Sequence, residues 1–223
     1  MHLTSSFSSG SVFFVVFVVA IGTSILVSFL NKRAQTLRKV SKTPVFDIPK
    51  FKENKVGKVI GEIHSIGEDL VAPISLQKCV GYEVSISTRD GEGHSEEIFN
   101  FKELNNFVIS RNGHHVQIQS KDVEFIVNKS SRVKTGWPNK NSAHIENFLK
   151  SKGINTKGAM GLAAQYTIVE GTFHVGETVA AVGKGKWKSN PKLGSPTETI
   201  KYLEMTPTKE DPVYLSDEKH TFT

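Results

Sequence analysis

The stretch YTIVEGTFHVGETVAAVGKG, residues 166–185, places Glu170, His174 and Glu177 close together along the chain. An imidazole flanked by two carboxylates is the raw material of acid/base catalysis or of a metal site, so a hydrolase or metal reading would rest on these three residues. Their setting argues for a different use. Gly171 and Gly176 allow sharp reversals between two apolar runs, 165–170 and 178–182, and the pattern predicts a β-hairpin. No third ligand or nucleophile stands at a diagnostic spacing, so no catalytic residue, metal or cofactor is expected.

The other chemically suggestive residues read the same way. His114 and His115 are adjacent, and neighbours in an extended strand point to opposite faces, which prevents joint chelation without a bulge. Cys79 is the single cysteine and cannot form an internal disulfide; it reads as a small buried hydrophobe. Lys184, Lys186 and Lys188 surround Trp187, a basic-aromatic cluster that could touch headgroups or nucleic acid but reads more simply as a solvated strand end. Gly183 and Gly185 in that segment lack the spacing of a phosphate-binding loop. His144 falls on the polar face of a helix, and Trp137 covers the core from a loop.

These residues must be positioned by strands. Residues 55–64 and 80–86 carry half-buried β patterns, the second with Val80, Tyr82, Val84 and Ile86 alternating against Gly81, Glu83 and Ser85. A polar loop, 88–97, leads to an antiparallel return. Asn112-Gly113 lies between two alternating runs, the strongest short-range hairpin signal, because both residues tolerate positive φ. Residues 122–128 predict a further strand, and 130–141 reads as loop. Residues 141–153 predict a short amphipathic helix, with Ile145, Phe148 and Leu149 at helical spacing and Gly153 as its C-cap.

Before all of this stands VFFVVFVVAIGTSILVSFL, residues 12–30, in a region where no Lys, Arg, Asp or Glu occurs before Asn31. As a helix it would rise about 28 Å, close to the bilayer's hydrocarbon thickness, and its small hydroxyls can bond back to the helix. It lacks the basic n-region and small-residue cleavage site of a secretory signal, so a transmembrane helix is expected. Lys32, Arg33, Arg38, Lys39 and Lys42 follow it and supply candidate contacts to anionic headgroups. By the positive-inside bias they put the N-terminus outside and the rest of the chain in the cytoplasm. The expected organisation is a tail (1–11), a membrane span (12–30), a basic juxtamembrane stalk (31–54), a β-rich domain (55–217) and a second tail (218–223). The fold class is mainly β (α+β): an antiparallel barrel-like or sandwich-like domain with one short amphipathic helix.

Several of these residues also carry a resemblance. Residues 72–80 followed by Tyr82, with Pro73 and Cys79 in place, resemble the "SPLSGxPCVYY" signature of the GIDE-type, or beside-a-membrane, domain. Glu170, Phe173, Gly176, Glu177 and Val179, ending at Val182-Gly183, are similar to that family's "E-x-x-I-x-x-G-D-x-V-Y-V-L-G". Residues 107–113, with Asn112-Gly113, resemble its "FxLxDxxG" hairpin, and the helix preceding Gly153 and residues 212–217 resemble its later elements. Ser110 stands where the family pattern has Asp, and Ala164-Gln165 replaces its usual arginine.

The resemblance implies a β-rich domain at a membrane surface, best known from RING-type ubiquitin ligases of mitochondrial and chloroplast outer membranes, where it is thought to recognise clients. Prokaryotic relatives occur without the RING. A RING needs eight zinc ligands, mostly thiolates, and a chain with one cysteine cannot supply them. The expected function is therefore a non-catalytic module that recognises a protein, or assembles with itself, at a membrane crossed by one span, without specific nucleic-acid binding. The alternatives are the inherited ligase label, a membrane-bound hydrolase or metal site at His174, and a lipid- or nucleic-acid-binding module.

Overall fold

A computed structural model describes residues 32–89, 95–136, 142–157, 164–191 and 199–223, and over them the protein is mainly β with mixed sheets. Among the described residues no helix is long and apolar enough to cross a membrane. Residues 12–30, where the span is expected, and Trp137 lie outside them.

The larger sheet is built around β1 (Val56–Ser65), which pairs antiparallel with β6 (Phe107–Arg111) on one side and β11 (Thr178–Lys184) on the other. Outward from β6 come β7 (His114–Ile118), β13 (Thr199–Met205) and β12 (Lys186–Pro191); outward from β11 come β14 (Val213–Ser216) and β8 (Val123–Ile126). Val116, Ile118, Leu203 and Met205 from one flank share an apolar cluster with Phe125, Val213 and Leu215 from the other. The sheet therefore curls so that its flanks meet over one core. Two of its pairings, β13 with β7 and β14 with β8, are parallel, which corrects the antiparallel expectation.

The smaller sheet has the order β5 (Ser95–Leu104), β4 (Gly81–Arg89), β10 (Thr167–Phe173) and β9 (Lys129–Lys134). One of its faces packs Val84, Ile86 and Ile168 against Ile145 and Leu149 of a helix, α2 (Ala143–Ser151). That helix ends as the sequence predicts. Ile154 N–H reaches Leu149 O at 2.9 Å and Gly153 N–H reaches Lys150 O at 3.0 Å, the paired bonds of a Schellman cap. Residues 129–134, most of which were expected to be loop, instead form β9, whose polar side chains suit a sheet edge.

The β6–β7 hairpin forms as expected, with Asn112 and Gly113 at φ 52° and 76°. The hairpin expected over 165–182 does not. β10 pairs with β4 and β9 in the small sheet, whereas β11 pairs with β1 and β14 in the large one. The segment between them is a corner joining two sheets. Ile168 lies in the second core and Phe173 in the first, where its ring sits 5.4 Å from that of Phe125.

The segments set apart as stalk and tail belong to the same body. Residues 32–42 form a helix, α1 (Lys32–Lys42), whose Val40 is fully buried in a cluster with Ala180 and Val182, against which Phe222 also packs. Phe46 and Phe51 reach the main core, because Gly57 leaves room: a Cβ there would lie 2.7 Å from the Phe51 ring. Lys58, on the α1 side of β1, is wholly buried and donates from Nζ to the backbone oxygens of Thr221 at 2.9 Å and Thr223 at 2.5 Å.

Candidate recognition surface

The family-like positions in residues 72–82 and 170–177 come together at the corner between the two sheets. Between the short paired strands β2 (Leu70–Val71) and β3 (Lys78–Cys79), the chain makes a loop closed by Leu76 N–H to Ala72 O and Ala72 N–H to Gln77 O, both 2.9 Å. Glu170 projects from β10 beneath this loop and is wholly buried. Its carboxylate accepts the Ile74 N–H at 2.8 Å and the Ser75 N–H at 2.9 Å. Charge-assisted bonds of this kind compensate a carboxylate for leaving water. From the other side His144 of α2 bonds through Nε2 to the Ile74 carbonyl at 3.1 Å. A carbonyl only accepts, so that ring nitrogen carries the proton.

Loop 72–77 is thus pinned by both a carboxylate and an imidazole, and what it displays is Leu76. This leucine has φ +59° and is 57% exposed. An aliphatic side chain in the left-handed region costs roughly 1–2 kcal/mol and persists only where the surroundings over-determine it. Val71, on β2, and Val175, in the corner, are also more than half exposed, at 55% and 51%. The bond from the His174 ring to Lys78 O links that corner to β3, so the exposed apolar side chains share one end of the molecule.

His174 is occupied on both nitrogens. Nδ1 lies 3.2 Å from the Lys78 carbonyl and therefore donates, leaving Nε2 to accept from the Thr172 hydroxyl at 2.7 Å. Glu177 accepts the His174 backbone N–H at 3.0 Å and so closes the turn that Gly176, at φ +84°, makes possible. Glu170 is turned away toward its loop. The three residues proposed for acid/base or metal work are therefore each committed to holding the corner. Among the described residues no cluster of three or more His, Cys, Asp or Glu side chains could hold a metal ion.

The remaining motif residues divide between this corner and elsewhere. Pro73 is in the loop; Cys79 is fully buried, and desolvation together with the nearby Glu170 charge pushes its thiol up to about 11, leaving it unreactive. Tyr82 is buried and donates to Glu103 at 2.5 Å; burial and that carboxylate raise its pKa. Asn112 and Gly113 are at a hairpin tip, and Gly183 sits mid-sheet opposite Gly57. His115 faces Ser110 across the β6–β7 ladder, and Ser110 Oγ lies 2.5 Å from His64 Nε2. That serine–histidine pair, unread in the sequence, sits on an exposed sheet face, and among the described residues no carboxylate bonds the His64 ring.

The basic clusters are partly neutralised. Lys184 pairs with Asp211 at 2.6 Å and Lys188 with Glu204 at 3.8 Å, while Trp187 donates to Phe51 O and carries Lys201 over its ring. On α1, Arg33 pairs with Glu218 at 3.1 Å and Arg38 bonds the Ala34 carbonyl, whereas Lys39 and Lys42 are exposed; the side chain of Lys32 lies outside the described set.

Asp217, beside the corner, accepts the Asn128 N–H at 2.9 Å with each carboxylate oxygen. Burial, reinforced by the Glu177 charge, raises its pKa from 3.8 to about 6. The folded state therefore binds this proton more tightly than the unfolded state. Its contribution is fully present below pH 3.8 and is lost as pH rises through about 6. Asp217→Asn keeps an acceptor for Asn128 and removes the titration. In urea denaturation, wild type should lose about 2–3 kcal/mol relative to this variant between pH 3.5 and 7. A pH-independent difference would show that Asp217 ionises normally.

Compared with known protein families, curated proteins and solved structures, the chain has no match.

Proposed function

We propose that this protein is a single-pass membrane protein, anchored by a helix over residues 12–30, whose cytoplasmic GIDE-type domain recognises a protein partner at the membrane surface. The carrying observation is loop 72–77, where a buried carboxylate and an imidazole hold an exposed leucine in a strained conformation. Strain and exposed apolar surface both oppose folding stability, and their coincidence on a pinned loop favours a contact role. Docking of α1 supports the membrane geometry, since a helix beginning just after the apolar segment and packed on the sheet would fix the domain close to the bilayer. Each residue of the suggested catalytic trio holding the corner weighs toward recognition and away from hydrolysis.

The test uses Leu76→Cys in the full chain, with Cys79 buried and unreactive. A membrane-impermeant maleimide should label position 76 in inverted vesicles and not in right-side-out ones. A photocrosslinker attached there should capture one protein reproducibly. Leu76→Gly should raise stability by up to about 1 kcal/mol, because glycine relieves the positive φ at some entropic cost, and yet reduce co-purification of that partner. Labelling from outside would reverse the topology. Unchanged co-purification of the partner with Leu76→Gly would remove the loop from the interface.

A further inference from the structure

The polar face of the small sheet, opposite the one covered by α2, lines a cleft of about 450 Å³ that extends to the N-terminal turns of α1. Its lining includes three carboxylates, Glu83, Glu97 and Glu124, and three cations, Arg33, Lys102 and Lys129. Glu83 is the unusual member: it is 93% buried, and its two oxygens are treated unequally. Oε1 accepts from Asn100 Nδ2 at 3.0 Å and has Lys102 Nζ at 3.7 Å. Oε2 is buried with no hydrogen-bond partner, the one such side-chain atom among the described residues.

A carboxylate oxygen that is buried and unpaired has lost its hydration without replacement, a cost that a donor entering the cleft would relieve. The neighbouring cation does not serve. Lys102 Nζ is directed to the Phe125 carbonyl at 2.6 Å and lies over the Phe125 ring. Ser85 shares this face two residues along β4, about 7 Å from Glu83 on strand geometry, and its hydroxyl accepts from Lys129 Nζ at 3.1 Å. An ammonium has three donors, so Lys129 can meet an anion as well. The cleft thus offers a carboxylate that lacks a donor and, one strand repeat away, a cation with donors to spare.

We propose that this cleft binds a phosphoethanolamine-type zwitterion, its primary ammonium donating to Glu83 and its phosphate meeting Lys129 and Arg33. Glu97 and Glu124 favour the ammonium end, and Lys129 and Arg33 the phosphate end, so the lining matches both charges of the ligand. The same chemistry comes from two sources: a free phosphoethanolamine, or the headgroup of a phosphatidylethanolamine. The second source rests on the membrane reading above, which puts Arg33, three residues beyond the apolar segment, within roughly 10 Å of the chain's exit from the bilayer.

The experiment compares phosphoethanolamine with phosphocholine, whose quaternary nitrogen has no N–H to donate, by titration calorimetry on the full chain in detergent. Phosphocholine should bind at least about tenfold more weakly, the loss expected for one hydrogen bond to a charged group. Glu83→Gln should weaken phosphoethanolamine by a similar factor and Lys129→Ala should weaken both compounds. The full chain is then reconstituted in vesicles of phosphatidylethanolamine or phosphatidylcholine, each with the same anionic lipid. A higher thermal midpoint in the first assigns the site to lipid; equal midpoints with binding of the free compound assign it to a soluble zwitterion. No discrimination between primary and quaternary nitrogen in either arm overturns the proposal. That failure would leave the labelling pattern at position 76, and hence the topology, unaffected.

Discussion

Glu170→Ala should cost about 4 kcal/mol of unfolding free energy and release loop 72–77. The carboxylate receives two backbone N–H groups, and each bond to a charged acceptor contributes about 1.5–3 kcal/mol. Part of that sum offsets the expense of burying the charge, but removing one partner of a buried pair still costs roughly 3–5 kcal/mol, because the other groups are left without water or acceptor. For a chain of this size the thermal midpoint should fall by about 8–16 °C. Glu170→Gln should lose about half as much, since its amide oxygen accepts one N–H while its NH2 opposes the other. Two local readouts separate this from general destabilisation: faster amide exchange at Ile74 and Ser75, and new reactivity of Cys79 toward a thiol reagent under native conditions. A loss below about 1 kcal/mol, with both amides still protected, would show that the loop holds itself.

The second large effect is expected at Lys58, which joins the segments on either side of the domain. Its backbone bonds both ways to residues 44–46, accepting from Phe46 N–H at 2.8 Å and donating to Pro44 O at 3.2 Å, while its ammonium binds Thr221 and Thr223. Desolvation lowers its pKa. Lys58→Ala removes two charge-assisted bonds and the packing of a long aliphatic stem, at a cost of about 3–5 kcal/mol. Lys58→Met keeps most of the stem and escapes the desolvation of the charge, so its cost should be nearer 1–2 kcal/mol. Amides of Thr221 and Phe222, which close the last 3₁₀ turn, should exchange at least about 100-fold faster in Lys58→Ala if Lys58 holds that turn in place. Equal costs for the two variants would assign the residue's contribution to its ammonium alone.

Both residues show where sequence reading stops. The β6–β7 hairpin and the end of α2 were legible because their signals are local: Asn112-Gly113 supplies two positive φ angles, and Gly153 follows an apolar stripe. Glu170 and Gly176 were legible as motif positions but not as partners of anything. Glu170 bonds residues 95 and 96 positions earlier, and nothing in the neighbouring residues states that distance. His144 was placed on a polar helix face, and only the docking of α2 brings its ring to the Ile74 carbonyl. Glu83 looked like the solvent side of an alternating strand, yet β4 is buried on both faces from 81 to 86.

The corner at 174–177 is the sharpest case. Glycines between two apolar runs announce a reversal, and a hairpin is the cheapest reversal to draw. Whether two strands joined by a turn pair with each other depends on which edges the rest of the chain offers. Here β4 and β9 take β10 while β1 and β14 take β11. The charge of residues 31–54 likewise predicts a stalk, whereas Val40, Ile48 and Phe51 are core residues.

The sequence by itself determined the mainly β class, the local turns, the amphipathic helix, and an apolar segment of spanning length followed by basic residues, because each follows from the order of neighbouring side chains. Only the tertiary structure decided that the two glutamates and the histidine of the opening stretch act as fasteners, that a leucine is held out in a strained loop, and that a buried glutamate has one oxygen without a partner. The physical reason is that burial and hydrogen-bond partnership belong to pairs of residues brought together by sheets, and the pairing of sheets is set by the whole chain.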